Sequence, residues 1–119
     1  MVSISLNFFF FKAISSLAYE RVCVLFNIAA LQSAVAASQS LDNDEGLKLA
    51  AKLFQQAAGI FAHLKATVMV AIHQEPTPDL NPDTLHALSQ LMLAQAQEIF
   101  VKKAVQGKSN IQIINNFYL

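Results

Sequence analysis

The chain has 119 residues and a mass of 13.0 kDa, so it holds at most one domain with a modest core. Eight basic residues balance eight acidic ones, and no basic cluster exceeds Lys102–Lys103, which argues against nucleic acid as a partner. Hydrophobic residues make up 55% and charged residues 13%, about half of the charged share of a typical soluble domain. We therefore expect exposed apolar faces that a larger assembly or a membrane covers, and self-association of the isolated chain.

The N-terminal segment is apolar but lacks the pattern of a secretory leader. Four phenylalanines follow Leu6 and Asn7, and no basic residue precedes Lys12, whereas a leader begins with a basic region. The longest apolar run, Val22–Ala37, contains three polar residues and is shorter than the ~20 residues that a bilayer requires. We expect neither a cleaved leader nor a membrane-spanning helix.

The residues of catalytic and metal sites are sparse. Cys23 is the single cysteine, so the chain forms no internal disulfide and no thiolate metal site, and a reducing cytosol suits it. The three histidines lack metal-ligand spacing, and the three glycines form no phosphate-binding loop. We expect a protein that is not an enzyme and that uses no metal or cofactor.

Apolar spacing predicts an all-α chain with about three antiparallel helices. The first helix is predicted from Lys12 to Ser38, with one apolar stripe formed by Leu17, Val24, Ile28, Leu31 and Val35. Asp42, followed by Glu45 three residues later, predicts the capped start of a second helix. The second helix carries an apolar residue at every seventh position: Leu47, Phe54, Phe61 and Val68. Four further apolar residues lie between them and widen the stripe: Ala50, Ala57, Leu64 and Ala71.

A loop separates the second helix from the third. The two prolines within Glu75–Asp79 remove amide donors and favour extended backbone, which a helix cannot accommodate. Asn81 is a suitable N-cap, with Pro82 at the first helical position. The third helix is predicted to continue to about Val105, and Gly107 is expected to stop it.

Three stretches, in the same order along the chain, resemble the Bro-type domain of the Alix family. They are residues 16–27 (SLAYERVCVLFN), residues 41–48 (LDNDEGLK), and residues 82–84 (PDT) followed by residues 92–98 (MLAQAQE). The resemblance implies part of a curved helical solenoid, similar to tetratricopeptide repeats. It places a partial Bro-type domain at 12–106, with unmatched or divergent segments at 1–11 and 107–119.

The resemblance also implies a function. Bro-type domains of this family hold the C-terminal amphipathic helix of an ESCRT-III subunit, a charged multivesicular body protein, in a concave groove. By this resemblance Phe100 is an outward-facing anchor, although spacing alone would place it in the core. Asp44 and Lys48 share a helix face and are assigned to the same contact, and an ungapped count assigns Ile113 and Phe117 as the two further apolar contacts.

The implied role is that of a non-catalytic adaptor in endosomal sorting, abscission and budding, cytoplasmic and recruited to endosomes, with peripheral membrane association. Two alternatives stay open at this point. Tyrosine-phosphatase relatives also carry Bro-type domains, and a phosphatase loop downstream in the gene would favour them. A small secreted or membrane-tethered helical protein is favoured by the apolar residues 8–11 alone.

Overall fold

Within the described residues, the fold consists of three long helices and one short turn of 3-10 helix. The computed structural model describes residues 13–71 and 77–118, with side chains described at 17–68, 77–108 and 115. The helices are α1 (Ala13–Ala37), α2 (Asp44–Ala71) and α3 (Pro82–Tyr118), and the 3-10 turn is Pro78–Leu80. The described ranges contain no strand, so the prediction of an all-α fold with three helices is confirmed.

The second helix, α2, is the centre of the fold, because it packs against both α1 and α3. The predicted seven-residue stripe is buried throughout, as are three of the interleaved residues: Leu47, Phe54, Phe61 and Val68, with Ala50, Ala57 and Leu64. The side chain of the fourth interleaved residue, Ala71, lies outside the described residues. Phe61 meets Phe26 of α1 edge to face at a ring-centroid distance of 5.4 Å, a favoured aromatic geometry.

The apolar stripe that the sequence indicates on α1 faces outward and is not the face that packs on α2. Leu17, Val24, Ile28, Leu31 and Val35 are all exposed, and Leu17 and Leu31 reach 71% and 65% of full exposure. The opposite face packs on α2 through Val22, Cys23, Phe26, Ala29 and Ala36. Both faces of α1 are apolar, so helical spacing does not indicate which one α2 covers.

The same two-sided apolarity makes α1 long and apolar enough to cross a membrane by length and composition. The stretch Leu17–Ala37 has 21 residues and a mean hydropathy of 1.3. The expectation that no segment has the required length was therefore wrong. The polar side chains within Val22–Ala37 do not bring the mean hydropathy down enough to exclude a span.

A tight junction between α1 and α2 fixes the start of α2. Asn43 caps the helix, because its Oδ1 accepts a hydrogen bond from the backbone N–H of Gly46 at 2.6 Å. The sequence predicted the cap one residue earlier, at Asp42, and that prediction was wrong. Gly46 is buried, and a Cβ added to it would lie 1.8 Å from the backbone oxygen of Ser40. The junction closes this tightly because Gly46 has no side chain.

The start of α3 follows the prediction and its end does not. Asn81 Oδ1 accepts a hydrogen bond from the N–H of Asp83, and the Asn81 carbonyl accepts one from Leu85, which confirms the cap. The helix continues through Gly107 to Tyr118, well beyond the predicted end near Val105. A glycine stops a helix by adopting a left-handed conformation, and no described glycine has a positive φ.

Two polar contacts set the antiparallel register of α2 and α3. The buried Ser89 hydroxyl donates to the carbonyl of Ala58 at 2.9 Å, and Lys103 pairs with Asp44 at 3.1 Å. Beyond them, the Gln106 side chain donates to the carbonyl of Leu41 in the α1–α2 junction at 2.9 Å. The first half of α2 is thereby held alongside residues 89–106 of α3.

The junction predicts opposite effects for two glycine substitutions. Gly46→Ala should lower the free energy of unfolding by about 1–3 kcal/mol, because the new methyl group collides with the Ser40 carbonyl. Gly59→Ala, a matched change in open space on the same helix, should raise it by about 0.5–1 kcal/mol. Urea denaturation followed by circular dichroism measures both. Equal effects of the two substitutions would contradict the close approach at Gly46.

Candidate groove between the second and third helices

A shallow groove of about 160 Å³ lies between the first half of α2 and the middle of α3. Its apolar floor is formed by the buried residues Leu47, Ala51 and Ile99. The more exposed lining residues are Lys48, Lys52 and Gln55 from α2 and Phe100 and Lys103 from α3. An apolar floor with charged rims is typical of grooves that receive an amphipathic helix.

Phe100 is a surface residue at this groove and not part of the core. It is 42% exposed, whereas the adjacent Ile99 is 7% exposed and packs in the core. Burying a phenylalanine side chain stabilises a protein or a complex by about 1.5–3 kcal/mol. An aromatic ring left open at the rim of an apolar groove is therefore available to anchor a partner.

Asp44 and Lys48 lie at the same groove and form an ion pair. Their Oδ2 and Nζ atoms are 3.0 Å apart, and the other carboxylate oxygen of Asp44 is 3.1 Å from Lys103 Nζ on α3. Hydrogen bonds from Lys48 and Lys103 lower the pKa of the Asp44 carboxyl, and the bond to Asp44 raises the pKa of Lys48. The structure thus brings together Phe100, Asp44 and Lys48, and the carboxylate links the two helices.

The cap of α2 places these charges. Asn43 and Gly46 fix the first turn, where Asp44 lies near the positive end of the helix dipole. Lys48 follows one turn later on the same face. The position of both charged groups therefore depends on the tight junction with Ser40.

Lys52 and Lys103 line the groove, and the sequence analysis did not identify them. Lys52 is four residues from Lys48, so helical spacing from the assigned contact could have indicated it. Lys103 is three residues from Phe100 and shares its side of α3. Its pairing with Asp44 depends on the register of two different helices, which spacing within one helix does not specify.

The assigned contacts Ile113 and Phe117 are not placed in the groove. The backbone of α3 is helical through both positions, and their side chains lie outside the described residues. Position 113 follows Phe100 by thirteen residues, which on a straight helix is about 20 Å along the axis and about 140° around it. The continuous helix does not bring these positions next to Phe100, and their role stays a prediction.

The histidines and acidic residues of the described ranges do not gather into a site. Within those ranges, no group of three histidine, cysteine or carboxylate side chains could hold a metal ion. His86 Nδ1 is 3.3 Å from Lys65 Nζ on the surface, and His73 lies outside the described residues. Cys23 is buried against α2, and burial raises the pKa of its thiol.

Comparison with known families gives a match along most of the chain. The family model described as BRO1-like domain matches residues 9–115. The chain belongs to the BRO1-like domain family. The resemblance found in residues 16–27, 41–48 and 92–98 is thereby confirmed.

Similar curated proteins are much longer than this BRO1-like chain. Programmed cell death 6-interacting protein of Homo sapiens is 58% identical over 102 residues, which cover 86% of this chain and 12% of that protein. Apoptosis-linked gene 2-interacting protein X 1 of Caenorhabditis elegans is 54% identical over 91 residues, 76% of this chain and 10% of that protein. A pH-response regulator, palA/RIM20 of Aspergillus oryzae, is 40% identical over 92 residues, 77% of this chain and 11% of that protein. The BRO1-like chain thus spans about an eighth of the length of the most similar of these.

Two solved structures share the fold at 60% sequence identity and a TM-score of 0.76. One is ALIX in complex with the SIVmac239 PYKEVTEDL late domain, of which this chain covers 13%. The other is the ALIX BRO1 CHMP4C complex, of which it covers 26%. Each match covers 77% of the BRO1-like chain, so the three-helix arrangement is that of the ALIX BRO1 fold.

The Asp44 ion pairs predict a pH-dependent contribution to stability. The folded pKa of Asp44 is below its unfolded value of about 3.9, so the pairs stabilise the fold above that pH and cease to do so as pH falls through the folded pKa. Wild type and Asp44→Asn should differ most in stability near neutral pH and converge in acid, and added salt should also reduce the difference. Urea denaturation at several pH values measures this. A difference independent of both pH and salt would show that the pairs contribute nothing.

Proposed function

We propose that this chain is a non-catalytic adaptor segment that holds the C-terminal amphipathic helix of an ESCRT-III subunit in the groove between α2 and α3. The observation that carries the proposal is the exposed ring of Phe100 beside an apolar floor with lysines on both helices. A solved structure of the same fold at 60% identity, the ALIX BRO1 CHMP4C complex, supports it. CHMP4C belongs to the charged multivesicular body proteins that the family resemblance implies as partners.

The geometry suits an incoming helix better than a small molecule. The groove is shallow and open and lies parallel to two antiparallel helices, so it offers a long narrow surface instead of an enclosed cavity. An amphipathic helix binds such a surface by inserting its apolar face between the two helices. Phe100 then becomes buried on binding, which is where most of the binding free energy is expected.

The charges at the groove indicate the charge of the partner helix. Lys48, Lys52 and Lys103 outnumber the single carboxylate of Asp44, so the rim carries a net positive charge. A helix with carboxylates beside its apolar face complements this rim, and long-range attraction would speed its association at low salt. Asp44 already pairs with two of the lysines, and an acidic partner would compete with it for them.

The family to which the chain belongs supports the role in the cell that we propose. Proteins named as interacting proteins and regulators are 40–58% identical to it, which favours an adaptor. We place the chain in the cytoplasm, recruited to endosomes, in sorting, abscission and budding. Peripheral association with the endosomal membrane belongs to the same proposal.

Self-association of the isolated chain is expected through the exposed stripe of α1. Replacing Ile28 and Leu31 together by Glu should reduce it, because two charges would interrupt the centre of that apolar face. Light scattering at tens of micromolar measures the molar mass, and the double replacement of Leu91 and Val101 by Glu on α3 is a control of equal charge at similarly exposed sites. A monodisperse wild-type monomer would contradict the expectation.

The groove predicts a specific effect for Phe100→Asp. The substitution should reduce affinity for an ESCRT-III C-terminal helix peptide by at least about thirtyfold, a loss of about 2 kcal/mol, because a carboxylate would lie where an apolar helix must dock. The fold should survive, since Phe100 is exposed. Fluorescence anisotropy titration gives the affinity, and circular dichroism melting gives the stability.

Phe54→Asp is the control for loss of fold. Phe54 is 5% exposed on the central stripe of α2, so an aspartate there should unfold the chain. If Phe100→Asp melts as early as Phe54→Asp, Phe100 is a structural residue. If Phe100→Asp folds and binds the peptide with unchanged affinity, the proposed groove is not the docking site.

A further inference from the structure

The outward face of α1 carries an apolar stripe with the spacing of a coiled coil. Its five large apolar residues are 39–71% exposed: Leu17, Val24, Ile28, Leu31 and Val35. Together with position 21, they follow each other at alternating steps of four and three residues. This is the spacing of the seam at which two helices of a coiled coil meet. The stripe therefore fits a second helix along about five turns.

One charged residue in this seam restricts the direction of a second α1 helix. Arg21 is exposed and occupies the position between Leu17 and Val24. If the second α1 ran parallel, the two Arg21 side chains would lie opposite each other, and like charges repel. An antiparallel α1 instead receives Arg21 at its C-terminal end, where the helix dipole is negative and the last turn has no basic residue. In the antiparallel direction the stripe is thus complementary to itself in charge as well as in apolar surface.

The apolar residues of the stripe favour one antiparallel register. In this register Ile28 lies opposite Leu31 of the second copy, and Val24 lies opposite Val35 of the second copy. Each contact occurs twice because of the two-fold symmetry, so the centre of the interface consists of four apolar layers. All four residues are exposed in the single chain and would become buried on pairing.

Arg21 disfavours the neighbouring register. A shift of one heptad would place Arg21 opposite Leu31 of the second copy, inside the apolar interface, where a charge without a partner is costly. In the register with four apolar layers, Arg21 lies opposite Ser38 of the second copy, just after Ala37, the last residue of α1. The guanidinium group then stays in solvent beside the end of the second α1 helix.

We propose that the chain forms a symmetric dimer in which the exposed stripes of two antiparallel α1 helices pack together, with Ile28 of each copy opposite Leu31 of the other. This rests on the self-association included in the proposed function. The same surface serves both copies, so association stops at two chains. No residue of the stripe lines the groove at Phe100, and the dimer therefore leaves that groove open.

The test places opposite charges at the two positions that face each other. Ile28→Lys and Leu31→Glu each introduce an unpaired charge at the centre of the interface, so each variant alone should dimerise at least about tenfold more weakly than wild type. In an equimolar mixture the new lysine of one variant meets the new glutamate of the other, and the affinity should return to within about threefold of wild type. Sedimentation equilibrium of the full chain measures the dissociation constants, and circular dichroism confirms that each variant is folded.

Val24→Glu is the matched control for the register. Val24 lies on the same stripe but faces Val35 of the second copy, so a mixture of Val24→Glu with Ile28→Lys should dimerise as weakly as the separate variants. Restoration of affinity in this mixture, and not in the mixture with Leu31→Glu, would overturn the proposed register.

Arg21→Glu tests the direction of the two helices. In the antiparallel dimer the new carboxylate lies near the negative end of the other α1 helix, so the variant mixed with wild type should dimerise more weakly than wild type alone. In a parallel dimer it would face Arg21 of the wild-type chain. A mixture that dimerises more tightly than wild type would therefore overturn the antiparallel arrangement.

The remaining outcomes separate the dimer from other occupants of the stripe. A wild-type monomer at tens of micromolar overturns the dimer, and a monomer that co-sediments with phosphatidylcholine vesicles assigns the stripe to a lipid surface instead. A molar mass greater than that of two chains would overturn the closed two-fold symmetry.

Binding of an ESCRT-III helix peptide tests the groove separately. Ile28→Lys should bind this peptide with the affinity of wild type, because its position lies outside the groove. Phe100→Asp should dimerise as wild type does and lose the peptide. If wild type dimerises but does not bind the peptide, the groove function fails and the dimer stands, and the reverse result overturns only the dimer.

Discussion

Leu47, Phe54, Phe61 and Val68 recur every seven residues along α2, and all four are buried between α1 and α3. Burial of this one stripe against two helices at once gives the chain its fold, since α1 and α3 each meet α2 far more extensively than they meet each other. The packing is tight enough for an aromatic edge-to-face contact on one side and a buried serine hydrogen bond on the other. A polar substitution in the stripe would therefore release both neighbours together.

The candidate site depends on the same packing through the start of α2. Gly46 lets the Ser40 carbonyl approach where a side chain would collide, and Asn43 caps the helix that begins there. The first turn then presents Asp44, which pairs with Lys48 on its own helix and with Lys103 on α3. The junction thus sets the position along α2 at which Asp44 and Lys48 lie relative to Phe100.

The exposed apolar stripe of α1 indicates that other helices cover this face in a larger assembly. A helix that is apolar on opposite faces is normally covered on both. Here α2 covers the face that includes Phe26, while the face that includes Leu31 is open. The chain spans about 12% of the human relative, and a helical solenoid buries such faces by stacking further helices. We propose that this face packs on other helices and that the groove at Phe100 binds a partner.

The sequence by itself determined the helical class, the central stripe of α2 and the Asn81 cap, because these depend on spacing and capping within a single element. It also carried the family resemblance, through residues 41–48 in particular. Only the tertiary structure decided which face of α1 is buried, since spacing cannot distinguish two apolar faces. It likewise decided the extension of α3 beyond Gly107, where no left-handed turn forms. The pairing of Lys103 with Asp44, and with it the width and charge of the groove, depends on the register between two helices, and no pattern within one helix specifies that register.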